Sequence, residues 1–368
     1  MSESSDLPPA LDPFSCRERQ KILTDYLRTH QLDAALITHR HYVHALTGYW
    51  HGTDLTAVGL IVEADGKATL CIPGDAIDLP AADACLSYPP QKLCTLVENV
   101  AGEMSAALRP MLERFDRVGT DRSAVPWQHS DLYWVDITTD YQYLRRKKFP
   151  DEISALLYAQ RGSNAAYTEA RRILEAGLSE VDLYAAMHAA AVREIGEALS
   201  GWGNDFQCGS PGGPPRRRAA QAGELAVLDI GVGARGYRTD QCRAFSVDGN
   251  PSDLQKAAHA RCCQALERVE AQLKPGLSCR VLFADIEQFL HGWEGADFQH
   301  HLGHGIGLDP HEVPRLNPNW DDTLEVGDVI AVEPGLYRDD LKAGIRLEQN
   351  YLITEDGHQR LSNFPLDL

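Results

Sequence analysis

Apolar positions change period several times along the first third of the chain. Ile22, Leu23, Tyr26 and Leu27 fall at helical spacing, and the runs Ala34 to Ile37 and Val58 to Val62 read as buried strands. Asp65-Gly66 supplies a hairpin turn before a further strand, Ala68-Thr69-Leu70-Cys71. Helices and strands alternate to about residue 140, which predicts an α/β domain. Residues 1–15 are polar and proline-rich, and a disordered arm is expected there. The basic segment Leu144 to Pro150 ends in a proline suited to the first turn of a helix, and Ile153, Leu156, Leu157, Tyr167, Ala170 and Leu174 follow at helical intervals. A boundary is therefore placed here, giving one domain over 16–148 and a second over 149–368.

The second domain carries a faint internal repeat. Gly177-Leu178-Ser179 with Leu183 returns as Gly276-Leu277-Ser278 with Leu282, each serine placed to cap an apolar helix. Each copy leads to a strand, a turn and a second strand carrying two carboxylates, so two similar halves would face each other across a pocket. Four matched positions are few, and coincidence remains the alternative.

Composition narrows the function classes. Lys and Arg number 35 against 53 Asp and Glu, a net charge of -18 that repels a nucleic-acid backbone. No apolar run reaches the roughly 18 residues of a membrane span, and the N-terminus lacks the basic and apolar regions of a signal peptide, so a cytoplasmic protein with no membrane partner is expected. The 9 cysteines form no CxxC pair and read as free thiols.

Three segments carry candidate chemistry. In the first, Leu225 to Gly231 and Tyr237 to Val247 read as a hairpin; a turn at Ala234-Arg235 sets Asp229 directly opposite Asp240. Like charges so placed repel unless a cation or a shared proton compensates; two surface aspartates near a turn are the alternative. In the third, Glu333 ends the apolar strand Val329 to Val332, and Glu348 falls in the middle of the next, where a lone carboxylate is costly to bury. Between them, four histidines, His300, His301, His304 and His311, lie in a glycine-rich stretch that suits a ligand loop better than a helix or strand. Two Asp, two Glu and one His make an oxygen-dominated set able to hold two divalent ions, with manganese or cobalt favoured and iron or zinc as alternatives.

These residues also carry a family resemblance. DIG with an aspartate at 240, HHLGHGIGLDPHE, VEPGLY and GIRLE together resemble the pita-bread metallopeptidases: methionine aminopeptidase, aminopeptidase P, prolidase and creatinase. ALITHRHYVHALTGYW and LRRKKFPDEI are similar to the creatinase-type N-terminal domain and its junction, so the likeness spans nearly the whole chain. It implies an α+β protein: a creatinase-like α/β N-terminal domain, then a pita-bread catalytic domain, a curved antiparallel sheet with pseudo-two-fold halves and helices outside. It implies Asp229, Asp240, His304, Glu333 and Glu348 as ligands of two ions, manganese first. His300 and His311 match histidines that contact substrate, Tyr337 a pocket tyrosine, Arg346 an arginine beside the last ligand, and Arg315 a candidate grip on a substrate carboxylate. A homodimer is implied as well.

The reaction implied is hydrolysis of an Xaa-Pro peptide bond, as a prolidase or aminopeptidase P. A hydroxide bridging the ions would attack the carbonyl, and Glu333 would pass the proton to the leaving nitrogen. The spacing of His304, Glu333 and Glu348 resembles compact microbial prolidases more than longer aminopeptidases. One departure stands out: a histidine usual in the family is replaced by Gly212, and Arg216 to Arg218 nearby offer either a replacement cation or a solvated loop. That departure keeps two alternatives open, a relative acting on a small non-peptide substrate by C–N hydrolysis or lyase chemistry, and a non-catalytic binding homologue.

Overall fold

The computed structural model describes residues 8–91, 95–121 and 132–368. The chain divides into two compact units, Ala10–Arg145 and Arg146–Leu368, each with its own core. Of the expected N-terminal arm, residues 1–7 lie outside the described residues, and helix α1 (Pro13–Thr29) already begins within it. Asp12 caps that helix, accepting from the Ser15 N–H, with Pro13 at its first position.

In the first unit six strands form one sheet: β1 (Ala34–Ile37), β2 (Gly59–Glu63), β3 (Ala68–Pro73), β4 (Ala84–Tyr88), β5 (Arg117–Thr120) and β6 (Tyr133–Asp136). Their order is β4-β3-β2-β1-β5-β6, with β2 antiparallel to β1 and β3 and the pairs β3–β4, β1–β5 and β5–β6 parallel. Helices α2 (Arg40–Thr47), α3 (Val100–Leu112) and α4 (Thr138–Leu144) complete the unit. Met104, Leu108 and Leu112 of α3 pack on Leu36, Ile61 and Cys71, the buried face that the apolar runs predict.

The second unit opens with α5 (Pro150–Ile173) and α6 (Glu180–Ile195), which cover a three-stranded antiparallel sheet of β7 (Asp205–Cys208), β8 (Leu225–Ile230) and β11 (Gln241–Ser246). A two-residue ribbon, β9 (Gly233–Ala234) with β10 (Tyr237–Arg238), extends the β8–β11 hairpin. Helices α7 (Asp253–Glu270) and α8 (Cys279–Leu290) follow. A five-stranded antiparallel sheet then runs in the order β13-β12-β14-β17-β18, from β12 (Gly303–Gly305), β13 (Glu312–Leu316), β14 (Val329–Val332), β17 (Gln349–Thr354) and β18 (Gly357–Arg360). The short pair β15 (Gly335–Leu336) and β16 (Ile345–Arg346) lies between β14 and β17 in sequence. The two sheets meet where the Glu348 N–H donates to the Cys242 carbonyl at 3.0 Å.

The internal repeat is visible in hydrogen bonds. Ser179 and Ser278 cap α6 and α8 with their side chains. The Gly177 N–H donates to the Ala220 carbonyl as the Gly276 N–H does to Leu324, and Ala220 and Leu324 donate back to Leu178 and Leu277. Both glycines have positive φ, 98° and 81°, so the same turn sets the entry of each helix. Among the described residues no helix is long and apolar enough to cross a membrane.

Candidate metal centre

Asp229 is next to last in β8, and its partner across the ladder is Cys242, not Asp240. The hairpin turns one residue later than the sequence reading places it. Ala234 pairs with Tyr237, leaving Arg235 and Gly236 as the central pair, with φ of 46° and 91°. Two positive φ values define the turn whose twist suits a two-residue hairpin, and glycine fits its second position. Moving the centre by one residue moves the register by two, so parity survives and Asp240 stays on the face of Asp229, diagonally placed.

His304 is the middle residue of β12, a strand paired on both sides, which corrects the expected loop. A Cβ on Gly303 would run into the Ala331 carbonyl, and one on Gly305 into that of Val313, so the flanking glycines admit the neighbouring backbones. Glu333 follows the last residue of β14, and Glu348 stands in the gap between β16 and β17 rather than inside a strand. His304 Nε2 lies 3.7 Å from both Asp240 Oδ2 and Glu333 Oε1. Ligand atoms of Asp240, His304 and Glu348 all fall within 4.8 Å of one another.

This constellation suits divalent metal. The His304 Nδ1–H donates to the Gly305 carbonyl at 2.9 Å, which leaves the Nε2 lone pair facing the carboxylates. Burial lowers its pKa to about 4, so the ring is neutral and able to ligate. Glu348 is buried, and its Oε2 has no hydrogen-bond partner among the described residues. Burial raises the Asp229 carboxyl to about 6, with Glu333 and Asp205 adding and Arg346 opposing. Asp240 and Glu348 go further, first through burial and then through the nearby aspartate charges. Carboxyls whose charged form is disfavoured by burial and by one another are the kind that a divalent cation stabilises as ligands. Glu333 departs from this pattern: burial raises it, but the His301 hydrogen bond and the neighbouring imidazoles outweigh that and hold it at about 2.

The remaining candidate residues line the same place. His300 donates its Nδ1–H to the His301 carbonyl at 2.8 Å, so its Nε2 accepts from the Tyr337 hydroxyl, also at 2.8 Å. His311, exposed, stacks on His304 with ring centroids 3.8 Å apart. Arg315 pairs with His304 across the β12–β13 ladder, lies over Trp320 at 5.2 Å, and keeps a buried Nε with no hydrogen-bond partner among the described residues. Arg346 Nη2 bonds Asp229 Oδ2 at 2.8 Å, and its Nη1 reaches the Tyr337 hydroxyl at 3.2 Å and the Pro211 carbonyl at 3.3 Å.

Two participants escape the sequence reading. His301 Nε2 donates to Glu333 Oε1 at 2.8 Å, and its ligand atom lies within 4.8 Å of those of His304 and His311. It belongs to the histidine-rich stretch, but nothing in that stretch ranks it above its neighbours. Asp205 of β7 is opposite Asp229 in the β7–β8 ladder and bonds Arg346 Nη2. Its segment carries no pattern pointing to the site. The Arg216 to Arg218 triplet gives no replacement cation through Arg216 or Arg218. Arg216 pairs with buried Glu180 at 2.6 Å, and Arg218 with Glu224 at 2.6 Å. At Gly212 a Cβ would stand 2.6 Å from Asp205 Oδ2, so the aspartate occupies space that a side chain at 212 would need.

Comparison with known proteins agrees with this geometry. The Creatinase/Prolidase N-terminal domain profile matches residues 19–144. The Xaa-Pro dipeptidase of Pyrococcus furiosus is 33% identical over 159 residues, 43% of this chain and only 45% of that enzyme's length. An uncharacterised peptidase of Staphylococcus aureus is 25% identical over 359 residues, 93% of this chain and 98% of its own. Among solved structures, the prolidase from Pyrococcus horikoshii superposes with a TM-score of 0.78 at 21% identity, covering 95% of this chain and 99% of that one. The X-Pro aminopeptidase from Thermotoga maritima gives 0.75 at 22%, covering 95% and 98%. These likenesses establish the pita-bread fold with its creatinase-type N-terminal domain. With its profile matching residues 154–355, more than half of the sequence, the chain belongs to Metallopeptidase family M24.

Proposed function

We propose that this M24 peptidase hydrolyses Xaa-Pro peptide bonds with two divalent ions, manganese first, and acts as a prolidase on dipeptides. The observation that carries the proposal is the meeting of Asp240, His304 and Glu348 within 4.8 Å, with Glu333 and Asp229 beside them. Those five side chains would hold the ions. Bound there, the ions supply Lewis acidity toward the scissile carbonyl and lower the pKa of water. Glu333, ionised at neutral pH, has Oε1 engaged by His301 and takes up the proton destined for the leaving nitrogen at Oε2. His300, with its tautomer fixed by Tyr337 and the His301 carbonyl, and His311 beside Arg315 face the substrate. The Arg315 guanidinium grips the terminal carboxylate of a dipeptide, which favours the prolidase reading. The names of the relatives support the Xaa-Pro class. Homodimerisation belongs to the same proposal and rests on the resemblance, and a cytoplasmic location is proposed beside it.

The test is manganese-dependent cleavage of Xaa-Pro dipeptides against Xaa-Pro-Yaa tripeptides, with Asp240→Ala as control. Dipeptide cleavage in the parent and none in the variant is expected. Intact peptides in the presence of bound metal overturn the peptidase assignment and leave the second reading, a small non-peptide substrate. The observation favouring that reading is specific: at Gly212 the family's imidazole is missing, and the Asp205 carboxylate fills the space.

A further inference from the structure

Asp205 and Asp229 are directly opposed on antiparallel strands, an arrangement of like charges that is unfavourable without a cation between them. Arg346 is that cation. Its Nη2 bonds Asp205 Oδ2 and Asp229 Oδ2 together, while Nη1 is held by the Pro211 carbonyl and the Tyr337 hydroxyl. The Asp205 carboxylate is itself aimed: its Oδ1 accepts the Gly213 N–H at 2.7 Å, which turns Oδ2 toward the guanidinium. Gly212 makes room for this, because a Cβ there would lie within 2.9 Å of Oδ2, Cγ and Oδ1 of Asp205 alike. The φ of Gly212 lies outside the left-handed range, so its lack of a side chain serves space and not backbone conformation.

A guanidinium bonded to Asp229 competes with any metal ion for the same oxygen, and its charge repels that ion. An arginine free to swing fully onto Asp229 would make two charge-assisted hydrogen bonds to it. We propose that Asp205 is a positioning residue: with Gly212 leaving room for its carboxylate, it shares the Arg346 guanidinium with Asp229 and neutralises it, so that Arg346 holds Asp229 through Oδ2 alone rather than through both oxygens, and Asp229 stays open as a metal ligand. The inference rests on the metal-binding reading above and adds to it a carboxylate that acts through an arginine rather than on the ion. It also gives Gly212 a role: the family's histidine is absent here because its place is needed by Asp205.

Calorimetric titration of manganese into the full-length, chelator-stripped protein tests this. Asp205→Asn should weaken manganese binding about ten-fold, the low end of what outer partners of metal ligands contribute. Gly212→Ala should weaken it in the same way, since the new Cβ displaces only the end of a side chain, and the double variant should be no worse than Asp205→Asn alone. In an Arg346→Gln background the Asp205→Asn change should have no effect, because the competitor is gone. Unchanged binding in both single variants overturns the inference, as does equal weakening in the Arg346→Gln background, which would make Asp205 a direct ligand. Absence of manganese binding by the parent chain instead sinks the metal-binding reading itself. Circular dichroism of the stripped variants verifies that each is folded.

Discussion

The histidines of this site differ by which nitrogen is already committed. His304 spends Nδ1–H on the Gly305 carbonyl and offers Nε2 to a metal, whereas His301 spends Nε2–H on Glu333. That second bond does two things. It fixes one oxygen of a carboxylate proposed above both to ligate and to carry a proton, and it holds the Glu333 pKa low. In His301→Ala the folded-state pKa of Glu333 therefore rises, and the acid limb of a pH–rate profile on an Xaa-Pro dipeptide moves to higher pH. At the optimum kcat/KM should fall roughly ten-fold, the cost typical of losing a partner of a metal ligand. His301→Gln, which keeps a donor, should recover part of both. An unmoved acid limb in His301→Ala would show that the bond has no part in setting Glu333.

At the scale of elements, the loop that carries His311 is fixed by a buried ion pair. The side chains of Lys148 and Glu312 are 1% and 0% exposed and 2.8 Å apart. Glu312 Oε1 also accepts the N–H groups of Leu308 and Asp309, so one carboxylate closes the turn between β12 and β13. Lys148→Met leaves that carboxylate buried without its cation and should cost about 3–5 kcal/mol in urea denaturation. A loss under about 1 kcal/mol would mean that water or the two N–H groups suffice. Lys148 belongs to the basic junction that the sequence reading marks as a boundary, but its partner lies far along the chain and no local pattern announces it. The same holds elsewhere. Residue type and spacing draw attention to Asp229, Asp240, Glu333, Glu348 and the histidine-rich stretch, whereas His304 is singled out among its neighbouring histidines by the family resemblance. The strand identity of β12 was not legible, because glycines at 303 and 305 read as loop formers until their neighbours' backbones are seen to occupy the space of a Cβ. The hairpin register was missed by a turn type that only backbone dihedrals distinguish. Asp205 is recognisable only once β7 is laid beside β8, a pairing set by tertiary contacts and not by alternation in four residues.

For the whole molecule, the cluster makes the metal-free chain pay for its own active site as pH rises. The folded-state pKa of Asp229 is about 6 against an ordinary 3.8, and those of Asp240 and Glu348 lie higher than ordinary as well. The folded chain thus binds more protons than the unfolded chain between those values. The corresponding stability is complete below about pH 4 and is lost as pH climbs through 6 and beyond. His304, His300 and His311 have pKa values lowered by desolvation and pull the other way, adding stability as pH rises toward their ordinary 6.5. Carboxylates with lowered values, such as Glu180 and Glu224, change their contribution only below about 4.5. Comparing parent with Asp240→Asn cancels both sets. In chelator-stripped protein the melting temperature of Asp240→Asn should exceed that of the parent, and the gap should widen from pH 5 to pH 8. Added manganese should raise the parent's melting temperature, more at pH 8 than at pH 5, since binding must displace protons from the same acids. It should raise that of Asp240→Asn far less. A gap that stays constant with pH would mean that the aspartates are ionised in the metal-free protein, and that some other cation, Arg346 foremost, already balances them.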